Sequence, residues 1–231
     1  RNLLALVTKP GYLDIKYFKV AEQKFSQPLK LYFIINFLFF LLIPILSTSQ
    51  FQIFNFSLKS LTRSNQIYQN IINEQIQAIE VSDKIYEERF NSHLKYNRPA
   101  FVFLIIPIFA LILKIVNINN KRYYLEHLFF SIQFTSFFLA SLLVTISLFR
   151  VLIVVLNILS IPSGYVGFII LGALFIWLSI YLFIASRNFY NNNMLSNIVK
   201  FPLLLIGLFV SLSLYTQFLF FYTVIALNWG Y

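Results

Sequence analysis

The chain has 231 residues, of which 59% are hydrophobic, 19% aromatic and only 11% charged, against roughly 25% charged in a typical soluble domain. Such a composition lacks the polar surface to stay in water, and the absence of cysteine excludes disulfides, thiolate metal sites and cysteine nucleophiles. The net charge of +10 falls mostly on residues flanking apolar runs, a pattern that sets membrane topology and meets anionic headgroups rather than nucleic acid.

Residues 1–30 form a basic segment in which Tyr12, Ile15, Phe18 and Phe25 interleave with lysines, as in an amphipathic stretch lying in the headgroup layer. Residues 31–48 hold the first span, entered at Pro28, with Asn36 as its one strongly polar interior side chain. Residues 49–99 are rich in Gln, Asn, Glu and Lys. There Ile67, Ile71, Ile72, Ile76 and Ile79 recur at three- to five-residue steps, and Asp83 to Phe90 continue a charged face, which predicts an extramembrane helical loop. The loop is too short to bury a core alone, so a cap on the membrane helices is the expectation.

Residues 100–231 carry a hairpin and the remaining spans, expected at about 100–116, 128–149, 166–185 and 201–226. Pro107 falls mid-span and predicts a bend. The turn carries Lys121 and Arg122, followed by Glu126 and His127. On the next helix Gln133, Ser136, Ala140 and Ser147 fall near one face, suited to close packing or, alternatively, to lining a polar path. Arg150 interrupts the run, so Val151–Ile161 reads as an interfacial or re-entrant helix before Gly164. Gly164, Gly167 and Gly172 leave room for helix approach, and Pro202 is expected to start the last span, which ends in interfacial Trp229 and Tyr231. These elements specify an all-α, polytopic transmembrane helix bundle of about five spans. Lys121, Arg122 and Arg187 lie in short loops on one side, which places the N-terminus in the cytoplasm.

Pro107-Ile108-Phe109-Ala110-Leu111, then Arg122-Tyr123-Tyr124-Leu125-Glu126-His127-Leu128-Phe129-Phe130-Ser131, resembles the bacterial membrane protein family catalogued as domain of unknown function 3667, common in Bacteroidota. Lys9-Pro10-Gly11, Pro28-Leu29-Lys30-Leu31-Tyr32 and Ser186-Arg187-Asn188-Phe189-Tyr190 are similar to its other signatures. Members often carry a zinc-ribbon-like cysteine cluster upstream, which this cysteine-free chain does not contain. The resemblance implies a multi-pass protein of the bacterial inner membrane and no particular activity.

Glu126 and His127 are the leading polar candidates, with Tyr124, Gln133 and Asn36. Adjacent helical residues point roughly 100° apart, so the Glu-His pair cannot address one substrate from a regular helix. An interfacial anchor fits better: Glu126 favours a helix N-terminus, and His127 is expected to bond a neighbouring loop. His93 stands apart from His127, and Glu87-Glu88 alternate with Lys84 and Arg89, so no metal site is expected. No nucleophile-elbow, Walker or zincin motif appears. The expected protein is therefore no enzyme and uses no cofactor. It would be an accessory or scaffold subunit partnered by lipid and other integral membrane subunits. The alternative is a small transporter or channel, lined by Asn36, Gln133, Ser136 or Thr216-Gln217.

Overall fold

Apolar backbone withdrawn from water must pair every N–H and C=O internally, which selects helix. The computed structural model describes residues 6–11, 28–46, 57–63, 65–158 and 166–229, and every regular element among them is helical. In chain order these are α1 (Pro28–Leu46), α2 (Leu58–Thr62), α3 (Gln66–Ile79), α4 (Asp83–Phe101), a 3-10 turn (Val102–Leu104), α5 (Ile105–Val116), α6 (Tyr124–Ile158), α7 (Val166–Tyr190) and α8 (Met194–Trp229). Five stretches are long and apolar enough to cross a bilayer: α1, α4 through α5, α6, α7 and α8. The protein is an all-α, multi-pass membrane helix bundle of about five spans.

Several boundaries differ from those expected. Helix α6 runs through Arg150 to Ile158 without interruption, because no glycine or proline falls between Leu128 and Ile158 and an exposed charge alone does not end a helix. Its 35 residues measure about 52 Å at 1.5 Å per residue, well beyond a ~30 Å hydrocarbon core. The irregularity near Pro107 comes one turn early, as the Val102–Leu104 3-10 turn. This leaves Pro107 in the first turn of α5, where its missing N–H costs nothing. Pro202 does not start the last span but lies inside α8, and α4 carries Pro99 across the expected loop boundary. Residues 1–5 and 12–27 of the basic segment, residues 159–161 with Gly164, the Trp229 side chain and Tyr231 lie outside the described residues.

The chain divides into two compact units. The first comprises Arg1–Phe51 and Ile105–Ser211, and α6 is its centre: α1, α5 and α7 all pack on it. Its buried face includes Phe130, Phe134 and Phe137. Phe137 stacks on Tyr181 of α7 with ring centroids 3.4 Å apart, and Phe134 meets Phe109 of α5 at 5.5 Å. The outward faces carry Phe37, Ile45, Phe168 and Ile206, all more than half exposed, as acyl chains require.

Residues 6–11 are docked rather than lying loose on the surface. Leu6 is buried, its carbonyl accepts from Tyr181 Oη at 2.8 Å, and the Pro10 carbonyl accepts from Asn188 Nδ2 at 3.0 Å. Gly11 follows at φ +74°, and a Cβ there would fall 2.8 Å from the Ala185 carbonyl oxygen. Both the left-handed backbone and the close approach demand glycine. Gly11→Ala is expected to cost about 1–2 kcal/mol, read as earlier proteolysis near the N-terminus together with a lower melting temperature in detergent.

The second unit comprises Gln52–Leu104 and Leu212–Tyr231. Ser57 and Ser60 form a capping box on α2, and Asn65 caps α3 by accepting from the Ile67 and Tyr68 amides. Of the isoleucine stripe, Ile72 is buried whereas Ile67 is exposed. The Leu58 amide donates to Asn91 Oδ1 at 2.8 Å, and Lys59 pairs with Glu87 at 3.0 Å. The end of α8 supplies Phe220, which stacks on Tyr68 at 3.9 Å and 13°. Burial raises the Tyr68 phenol above its ordinary 10.0, so this ring is neutral at physiological pH.

Candidate functional site

The polar residues of the hairpin assemble where α5 hands over to α6, within the first unit. Asn117 begins the turn by folding its amide back onto the Leu113 carbonyl at 3.1 Å, and the Asn120 amide then donates to the Asn117 carbonyl at 2.9 Å. Helix α6 opens with half a capping box: Glu126, its third residue, accepts from the Tyr123 amide at 3.1 Å. The same carboxylate forms an ion pair with Arg122.

Arg122 also reaches a distant element. Its Nη2 donates to the Phe189 carbonyl at 2.6 Å, and its guanidinium lies 4.3 Å over the Phe189 ring. That carbonyl belongs to the last turn of α7, where no amide of the helix is left to pair with it. A planar, permanently charged donor is suited to satisfy it while stacking on the ring. Arg122 therefore caps the negative end of α7 as Glu126 caps the positive end of α6.

His127 lies one residue on, buried, with Nδ1 2.7 Å from Tyr190 Oη. Its partner is a helix residue rather than the neighbouring loop expected from the sequence, because the α7 terminus packs here. Phe130 completes the contact at 5.2 Å from Phe189 and 5.8 Å from Tyr190. Toward α5, Tyr124 Oη donates to the Pro107 carbonyl at 3.1 Å and Ser131 Oγ to the Ile106 carbonyl at 2.8 Å. Glu126 and His127 thus serve different partners, as their separation around the helix requires.

Compared with known proteins, the chain matches no family model, no curated protein and no solved structure. The chemistry of the site must be read from its own geometry.

Other candidates do not join this cluster. Gln133 and Ser136 are buried on α6, but Ser136 donates to the Ile132 carbonyl of its own helix at 2.7 Å, and Ser147 does the same to Leu143 at 2.8 Å. Ala140 is half-buried on the same helix, and Asn36 is half-buried on α1. Thr216, half-buried, and Gln217, exposed, belong to the second unit and bond back to Ser213. Lys121 and Arg187 are exposed. Among the described residues, no group of three metal-ligating side chains converges.

The packing glycines also require correction. A Cβ on Gly172 would meet nothing within 4 Å, and one on Gly167 would make ordinary contact with the Phe149 ring at 3.8 Å. Close approach occurs at Gly207 of α8, where a Cβ would overlap Ile112 Cγ2. Sequence reasoning also missed Phe189, Tyr190, Asn197 and Lys200. Asn197 is buried and donates to the Phe183 carbonyl at 3.0 Å, while Ser186 Oγ donates to its Oδ1 at 3.2 Å. Lys200 Nζ bridges Asn117 Oδ1 at 3.2 Å and Asn192 Oδ1 at 3.3 Å. A lone Asn and Lys in the opening turns of an apolar helix were the available signal.

Chemically this is a clasp: its polar groups satisfy helix ends, facing carbonyls or one another. Tyr190→Phe leaves His127 Nδ1 buried without its partner and is expected to cost about 1–3 kcal/mol, measured by equilibrium unfolding in mixed micelles. The half-buried Tyr124→Phe should cost less.

Proposed function

We propose that the protein is a non-catalytic accessory or scaffold subunit of a larger assembly in the bacterial inner membrane, with its N-terminal side cytoplasmic. The observation carrying this reading is the clasp, whose ionisable and hydroxyl groups are spent on joining helices. The exposed apolar faces of α1, α7 and α8 offer surface to lipid or partner helices. The hairpin motif's resemblance to domain of unknown function 3667 belongs to the same proposal and supports membrane location without supplying an activity. A transporter reading has less support, because Ser136 and Ser147 bond within their own helix and Thr216 and Gln217 bond back to Ser213.

The test is purification from native membranes in several mild detergents. Stoichiometric co-migrating membrane proteins are expected; recovery of the protein alone in every detergent overturns the scaffold reading. Because the chain lacks cysteine, single cysteines at Lys121 and Lys84 report orientation directly. An impermeant maleimide added to spheroplasts should label the Lys84→Cys variant and spare Lys121→Cys.

A further inference from the structure

A groove of about 1210 Å³ opens beside the α7–α8 turn, with Lys9, Arg187, Asn188, Asn191, Asn193 and Met194 among its lining residues. We propose that it binds a phosphate-bearing anion, presented by the headgroup of an anionic phospholipid. Three observations lead there.

The first is the donor set. Two cations and several side-chain amides line the groove, and no carboxylate is among its described lining residues. Lys9 and Arg187 both contribute to a positive potential there. The second is convergence. A basic loop that only sets topology needs local density of Lys and Arg, whereas these two residues come from far apart in the chain. The Tyr181–Leu6 and Asn188–Pro10 hydrogen bonds bring Lys9 to the groove. On the other wall, Asn191 adopts φ 52° and the Asn192 amide donates to the Arg187 carbonyl at 3.3 Å. This closure fixes the turn that bears Arg187.

The third is the amphiphilic rim. Met194 and Leu195 line the same groove at 56% and 79% exposure, and Ile198 and Val199 extend the exposed apolar strip along α8. Cationic and amide donors beside an apolar strip match a molecule with an anionic head and acyl chains. A free anion would use the donors and ignore the strip.

The experiment uses the full chain in a neutral detergent. Short-chain phosphatidylglycerol, phosphatidylcholine of the same chain length and inorganic phosphate are each titrated, with binding followed by native mass spectrometry and by melting temperature. Phosphatidylglycerol is expected to bind at least about tenfold tighter than phosphatidylcholine, and Lys9→Gln/Arg187→Gln should abolish that preference. Arg63→Gln/Lys84→Gln removes equal charge from the second unit and should preserve it. Arg187→Lys should restore part of it, separating lost binding from lost folding. Inorganic phosphate that matches phosphatidylglycerol assigns the site to a free anion and overturns the lipid assignment, whereas phosphate that fails to compete supports it. An unchanged preference in the Lys9/Arg187 double variant, or equal loss in the control, overturns the proposal.

Discussion

Arg122→Ala is expected to lower the unfolding free energy by about 2–3 kcal/mol, the scale of hydrogen bonds to charged groups. The substitution removes the donor to the Phe189 carbonyl, the partner of Glu126 and the cation over the Phe189 ring together. The side chains of Arg122 and Glu126 are 28% and 17% exposed, so water relieves part of the loss and the figure stays below that for a fully buried pair. Arg122→Lys should recover less than half, because an ammonium cannot fork between carboxylate and carbonyl while stacking. Glu126→Gln should cost little by comparison, since glutamine also serves at the third position of a capping box. Equilibrium unfolding in mixed micelles measures all three. If Arg122→Ala were no worse than alanine at the exposed Lys121, the clasp would contribute nothing.

Gly207→Ala should be the second large effect. The new methyl must displace Ile112, whose Cγ2 occupies the position. A β-branched side chain has few rotamers into which it can retreat, and overpacking of this kind costs about 1–3 kcal/mol. Gly172→Ala, facing open space, should be close to neutral. The decisive measurement is a double-mutant cycle: Ile112→Ala vacates the space, so adding Gly207→Ala to that background should cost much less than in the wild type. Additive costs would show that the two helices do not meet at this point.

The fold was legible because long apolar runs have one structural solution in a bilayer. What the sequence hid lies where a partner distant in the chain decides the outcome. Arg150 interrupts the apolar run, but a charge does not break a helix, and 128–158 hold no glycine or proline that would. Gly172 looked like a packing residue from composition alone; which glycine touches a neighbour depends on helix rotation, and that favours Gly207. His127 was recognisable as a polar residue in need of a partner, yet Tyr190 lies 63 residues away. Arg122 read as a topology marker because its second role depends on the terminus of α7 arriving beside it.

The seams of the first unit differ in how much chain must be made before they can close. Tyr124 and Ser131 bond carbonyls 17 and 25 residues away, so the α5–α6 hairpin can knit as soon as it enters the membrane. The bonds of Arg122 and His127 to the end of α7 wait for 67 and 63 further residues. Those of Leu6 and Pro10 wait for 175 and 178. Residues 6–11, made before all these helices, are thus among the last to find their place. A nascent chain halted before Tyr181 would carry a closed hairpin while residues 6–11 still lacked their partners on α7.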